Sequence, residues 1–154
     1  MNQPASAFNP EQFLDITLTE PTVKRPPIPV GDYFALLGEV KSRAWQGKKD
    51  PTKSGIAWDV TMEVELPPNL AELIGQPKIV VSDSIMLDLT DSGTLDNSPG
   101  KNRRLRLYRE ALDMNKPGDS FSARAMQGRQ VKVKIKHEVY EGEIYERVDS
   151  VARG

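Results

Sequence analysis

Apolar and polar residues alternate most regularly between Ile56 and Leu66. Ile56, Trp58, Val60, Met62, Val64 and Leu66 share one phase, while Ala57, Asp59, Thr61, Glu63 and Glu65 fill the other. A period of two held over this span predicts a half-buried β-strand. Before it, Asp32–Lys41 (DYFALLGEVK) is apolar in both phases and predicts a first strand, followed by a polar loop at 47–55 (GKKDPTKSG). Pro67-Pro68 end the second strand, and one helical turn fits Asn69–Ile74, closed by Gly75. A third strand is expected over Ile79–Leu89, where Asp83 interrupts an otherwise apolar phase. After a turn-rich stretch at 90–100, Asn102–Met114 predicts a helix. Its Leu105, Tyr108 and Leu112 recur at helical spacing beside Ala111, Asn102 is the N-cap, and Asn115-Lys116-Pro117-Gly118 is the stop. Val131, Val133, Ile135 and Val139 then alternate with Lys132, Lys134, Lys136 and Glu138. Glu141-Gly142 predicts a tight turn, and Glu143–Val151 the last strand.

The order β-β-β-α-β-β predicts a mainly β fold, an OB-fold-like five-stranded barrel with a helix between strands 3 and 4. Six of the twelve prolines fall within residues 1–29. Proline lacks an N–H and fixes φ, so this stretch is read as an extended Pro-rich arm rather than a central strand or long helix. Phe8, Phe13, Leu14, Ile16 and Leu18 would dock it in part on the domain at 30–154.

Composition removes several kinds of chemistry. The 154 residues contain no Cys and one His, which excludes disulfides, thiol nucleophiles and multi-His metal sites. His137 is read on the polar phase of strand 4, as a surface residue. Asp83, Asp88 and Asp91 belong to the one carboxylate series; a metal nuclease built on them is the most remote reading. No cofactor motif is present, and the expectation is a non-enzyme. No apolar run approaches the roughly 20 residues of a membrane span, and the first residues lack a signal-peptide pattern. The expected location is cytoplasmic, the host cytoplasm if the chain is phage-encoded.

Charge changes the picture more. The net charge is −1, yet 15 of the 21 Lys and Arg residues lie in three short segments, 41–53, 101–109 and 124–136, which contain one acid, Asp50. Strand 4 lysines and helix arginines are each explained separately as solvated faces. The segment 41–53 differs, because it sets Trp45 among Lys41, Arg43, Lys48, Lys49 and Lys53. Cations that track phosphates and rings that stack on bases, at about 1–3 kcal/mol each, are what a single-strand binder uses. In an OB-fold the 1–2 and 4–5 loops flank the binding face. The candidate nucleic-acid contacts are therefore Lys41, Arg43, Trp45, Lys48, Lys49, Lys53, Lys132, Lys134, Lys136 and Tyr145. Trp58 is expected in the core, one of Tyr33 and Phe34 outside it, and Phe121 as a plug of the barrel.

Several short motifs carry a resemblance. Phe8-Asn9-Pro10 to Phe13-Leu14, Pro29-Val30-Gly31-Asp32-Tyr33, Lys53-Ser54-Gly55, Asn115-Lys116-Pro117-Gly118-Asp119 and Gly128-Arg129-Gln130-Val131 resemble a family of small phage OB-fold single-stranded-DNA-binding proteins from replication and recombination regions. The resemblance runs over roughly Phe8 to Val151. It implies a non-catalytic protein of low sequence specificity, with single-stranded DNA, other copies of itself and phage replication or recombination proteins as partners. The chain departs from bacterial single-strand binders in ending Val148–Gly154 (VDSVARG), without an acidic tail. The competing reading is a protein-interaction module, a phage accessory or virion component, whose N-terminal arm mediates assembly.

Overall fold

A computed structural model describes residues 8–154. The first seven residues of the predicted arm, Pro4 among them, lie outside the described residues. Five strands form one antiparallel sheet: β1 (Gly31–Gln46), β2 (Ser54–Glu65), β3 (Lys78–Met86), β4 (Gln130–Tyr140) and β5 (Glu143–Arg153). They lie in the order β3-β2-β1-β4-β5. Helix α1 (Pro68–Ile74) follows β2, and helix α2 (Arg103–Ala111) lies between β3 and β4.

The long first strand organises the sheet. Its start, Gly31–Leu36, pairs with β4, and Ala35–Gln46 pairs with β2. A register shift between Leu37 and Val40 marks a bulge, which bends the strand where it passes from one partner to the other. Strand β1 runs five residues beyond the predicted Lys41 because Ser42–Gln46 pair with Ser54–Trp58. Conversely, β3 stops at Met86, and Leu89 makes an isolated bridge to Leu95 inside the following loop. At the β4–β5 hairpin, Glu141 (φ 50°) and Gly142 (φ 79°) adopt the left-handed pair that a two-residue turn requires.

Alternation sends Tyr33, Ala35 and Leu37, Val60, Met62 and Val64, Ile79, Val81 and Ile85, and Val131, Val133 and Ile135 to one side, where they form the core. Leu105, Tyr108 and Ala111 of α2, with Leu112 just beyond it, cover that core. Met126, fully buried on a single 3₁₀ turn at Ala123–Met126, fills the place expected for Phe121. Phe121 packs at the margin under the Arg109 guanidinium, 5.1 Å from its ring centre. Trp58 is also only partly buried against the core.

Asp83 occupies an inward-phase position and carries the main polar tie of the molecule. The Tyr108 hydroxyl donates to it at 2.6 Å, and Arg104 Nε at 3.0 Å. Arg104 also donates to the carbonyls of Val148 (2.6 Å) and Asp149 (3.3 Å) on β5. One arginine thus holds both edge strands. Burial first, then the Asp83 charge, pushes the Tyr108 hydroxyl far above its ordinary pKa, so it remains a donor. Asn102 stands at the predicted N-cap position but in the left-handed region (φ 52°), and its side chain makes no cap. The side chain instead ties down the preceding loop. It accepts from the Asp88 N–H at 2.8 Å and donates to the carbonyls of Asp88 and Asp96 at 3.1 and 3.0 Å.

The Pro-rich segment has two parts. Phe8, Phe13, Leu14, Ile16 and Leu18, expected to dock, are all more than half exposed. The docked part comes later. Ile28 is fully buried, and its N–H and the Arg25 guanidinium converge on Glu146: Ile28 N at 2.7 Å, Arg25 Nη1 and Nη2 at 3.1 and 2.7 Å. His137 Nε2 lies 2.7 Å from the Ile28 carbonyl. His137 shares its phase with Val133 and Ile135, so it faces the chain at Ile28 rather than open solvent, which corrects the surface reading.

Candidate nucleic-acid interface

The β1–β2 hairpin carries the densest free positive charge. Its loop is tight: Gly47 N–H donates to the Lys53 carbonyl at 2.8 Å, Lys53 N–H to the Asp50 carbonyl at 3.1 Å, and Gln46 Nε2 to the Pro51 carbonyl at 2.8 Å. Asp50, the one acid of the segment, turns its carboxylate onto the Thr52 N–H and hydroxyl. Lys48, Lys49 and Lys53 are exposed and form no ion pair among the described residues. Lys41 is likewise exposed and unpaired among them. Its register partner Asp59 is already engaged by Arg43 at 2.8 and 3.2 Å and by Ser84 at 2.7 Å. Arg43 therefore spends its fork on Asp59. These hydrogen bonds, those from Arg43 first and that from Ser84 second, hold the Asp59 carboxyl below its ordinary pKa.

Trp45 lies on β1, one residue before the strand's end, rather than in the loop. It pairs with Gly55, and its half-buried indole covers that glycine. A Cβ at Gly55 would sit 2.8 Å from Trp45 Nε1, so the absence of a side chain there makes room for the ring. Nε1 is buried and without a hydrogen-bond partner among the described residues.

The lysines of β4 do not join this group. Lys132 pairs with Phe34, and Lys134 with Asp32, at the opposite end of β1 from Trp45. From Phe34 to Gln46 the strand path is on the order of 40 Å at about 3.3 Å per residue. Analogy with loop positions predicts one surface for both groups; the register separates them. Lys136 stands 3.8 Å from Asp149. Lys132 Nζ lies 6.0 Å from the Phe34 ring, which is exposed, whereas Tyr33 is buried with its hydroxyl donating to the Pro29 carbonyl at 2.7 Å. Phe34 is thus an exposed aromatic beside a cation, and it is absent from the candidates drawn from sequence. Strand phase carries the signal that marks it, because Ala35 and Leu37 share the parity of Tyr33.

Tyr145 lines a cleft of about 400 Å³ between β3 and β5, with Val80, Ser82, Ile144 and the docked residues Lys24 and Arg25. Lys24 Nζ and the Arg147 guanidinium lie 4.4 and 5.1 Å from its ring centre. Two cations already compete for this ring. Of the 101–109 cations, Arg104 is structural, Arg109 donates to the Met114 carbonyl at 2.9 Å, Arg106 lies 3.6 Å from Glu110, and Lys101 and Arg103 are exposed without an ion pair among the described residues.

Among the described residues no three His, Asp or Glu side chains are grouped to hold a metal ion, and no helix is long and apolar enough to cross a membrane. Asp83 and Asp88 are committed to Arg104 and Asn102, not to each other. No protein-family model matches this chain, and no curated protein matches it.

Proposed function

We propose that this chain is a non-catalytic single-stranded-DNA-binding protein with an OB-type architecture, in which the β1–β2 hairpin is the main contact. The observation that carries the reading is the group Lys41, Lys48, Lys49 and Lys53: four exposed lysines, free of ion pairs among the described residues, on one rigid hairpin around a half-buried Trp45. Lysines in that state release counterions when they meet phosphates, and a neighbouring ring offers a sequence-tolerant stacking surface.

The topology supports the architecture. An OB-fold is a five-stranded, partly open Greek-key barrel, and its 1–2 loop borders the binding face. Here β1 pairs with both β2 and β4, and a helix connects β3 to β4. The stagger agrees as well. By register Val80 is level with Glu63, Leu36 and Gln130, and hence with the far end of β5. Yet Val80 shares a cleft with Ile144 and Tyr145, at the beginning of β5. A sheet that rolls up must accumulate such a shift. The phage replication or recombination setting rests on the sequence resemblance alone.

The test is fluorescence anisotropy of a labelled oligo-dT at several salt concentrations, with a duplex of equal length as control. Binding is expected to prefer the single strand and weaken with salt. The variant Lys48→Ala/Lys49→Ala/Lys53→Ala should lower the log–log salt slope by about 2, at roughly 0.7 for each phosphate left without its lysine. An unchanged slope, or no binding of the wild type at low salt, rejects the reading.

A further inference from the structure

Residues 8–23 hold the least covered apolar stretch among the described residues. Phe13, Leu14, Ile16, Leu18 and Val23 are 56, 83, 53, 76 and 79% exposed. Pro10–Asp15 form a 3₁₀ helix, and the chain from the extended Ile16 onward pairs with no strand of its own sheet. Residues 8–23 carry Glu11, Asp15 and Glu20 and no Lys or Arg. The segment is nevertheless held at its C-terminal end, where Lys24, Arg25 and Ile28 are fastened to Glu143 and Glu146 of β5. It leaves the domain from a fixed point, and the stretch Ile16–Val23 between the 3₁₀ helix and the anchor can reach up to about 26 Å when extended. Apolar surface displayed in this way marks an interaction site.

A second uncovered apolar area lies on the outward face of the sheet. Register places Val80, Glu63, Leu36 and Gln130 in one row, with Lys78, Glu65, Phe34 and Lys132 in the next. Phe34, Leu36 and Val80 are 45, 44 and 64% exposed. Glu63 is matched by Lys78 at 3.5 Å, Glu65 and Asp32 lie at the margins, and the β4 side presents Lys132 and Lys134 without an ion pair among the described residues.

We propose that the arm of one copy lies across this face of a second copy, with Leu14, Ile16 and Leu18 on Phe34 and Leu36 and with Asp15 toward Lys132 and Lys134. Charge complementarity selects the occupant: an acidic apolar segment meets an apolar patch with a basic border. The same arm gains no cover from its own domain although it is anchored to it. Reciprocal exchange of two arms about a two-fold axis would cover both patches at once, the closed arrangement that homodimers favour. The β4 lysines, separated from the hairpin, thereby acquire a role of their own, and the inference does not depend on DNA binding.

The experiment measures solution mass by light scattering, without nucleic acid, across a wide concentration range. The full chain is expected to form a dimer of 17.2 kDa subunits. Leu14→Ser/Ile16→Ser/Leu18→Ser should weaken dimerisation by at least about tenfold, the scale of losing one good anchor. These side chains are exposed, so the circular dichroism spectrum should not change. Lys132→Glu/Lys134→Glu should weaken it similarly, and adding Asp15→Lys should restore it in part. A monomeric wild type, a dimer that survives the arm variant, or a dimer indifferent to Lys132→Glu/Lys134→Glu would overturn the proposal.

Discussion

Two basic clusters of equal size, at 41–53 and at 101–109, have different uses in the folded protein. The helix cluster is arginine-rich, and Arg104 and Arg109 point their forks at fixed acceptors: the Asp83 carboxylate with the Val148 and Asp149 carbonyls, and the Met114 carbonyl. The hairpin cluster is lysine-rich. Its one arginine, Arg43, is bound to Asp59, while its four lysines are free among the described residues. The planar guanidinium can satisfy several acceptors in one geometry, whereas a hydrated ammonium on a flexible stem gains little from a partly buried position. In the helix cluster Arg104 and Arg109 thus become scaffold, while Lys101 and Arg103 stay exposed without an ion pair among the described residues, and in the hairpin only Arg43 is spent and four lysines face solvent.

The sharpest way to break this contrast is Arg104→Ala. It leaves Asp83, whose side chain is only 11% exposed, without its cation, and it unties β3 from β5. Removing one partner of a buried pair costs about 3–5 kcal/mol; because Arg104 is partly exposed, about 3 kcal/mol is expected from urea unfolding. A loss under about 1 kcal/mol would place Arg104 with the hairpin lysines, as surface charge.

A smaller effect is expected at the arm anchor. Burial raises the Glu146 pKa, but hydrogen bonds from Arg25 and the Ile28 N–H outweigh it, so the net pKa lies below the ordinary carboxylate value. A depressed folded-state pKa gives stability that is present above the unfolded value and lost as pH falls through the folded one. Glu146→Gln should therefore cost about 1–2 kcal/mol near neutral pH. The deficit should shrink once the pH drops below about 4, the unfolded carboxylate range. Thermal melts of both proteins over this range check it; a deficit that grows toward acid contradicts the sign.

Least should happen to stability in Lys48→Ala/Lys49→Ala/Lys53→Ala, expected within about 0.5 kcal/mol of wild type, since exposed charges without partners hold nothing together. A larger loss would mean that the hairpin lysines are structural after all, and the contrast with the helix would fail.

Much of the framework is legible in the chain. The alternation of β2 from Val60 to Leu66 and of β4 from Val131 to Ile135, the Pro67-Pro68 stop, the Glu141-Gly142 turn and the buried stripe Leu105, Tyr108 and Leu112 are local patterns that the structure holds, whereas Ala57 is buried on the expected polar phase and Val139 is exposed on the expected apolar one. Where local pattern misleads, the cause is physical. The first strand outruns Lys41 because Ser42–Gln46 show no apolar alternation of their own and are held by pairing with β2. His137 is a different case: it has the parity of Val131, Val133, Ile135 and Val139, so the alternation itself places it inward and the polar-phase reading runs against it. Asn102 has the residue type and position of a cap, and nothing local shows that its amide ties Asp88 and Asp96 instead.

Which segments are strands, where they turn and where charge accumulates are properties of the linear chain. They depend on side-chain period and backbone preference within a few residues. Which charges are spent is a property of the folded molecule. Arg25 meets Glu146 across 121 positions, Arg104 meets Val148 across 44, and Arg43 meets Asp59 across 16. Such pairings follow from sheet order and register, which bring together residues that no local pattern relates. The free lysines of the hairpin, and their distance from those of β4, are what those pairings leave behind.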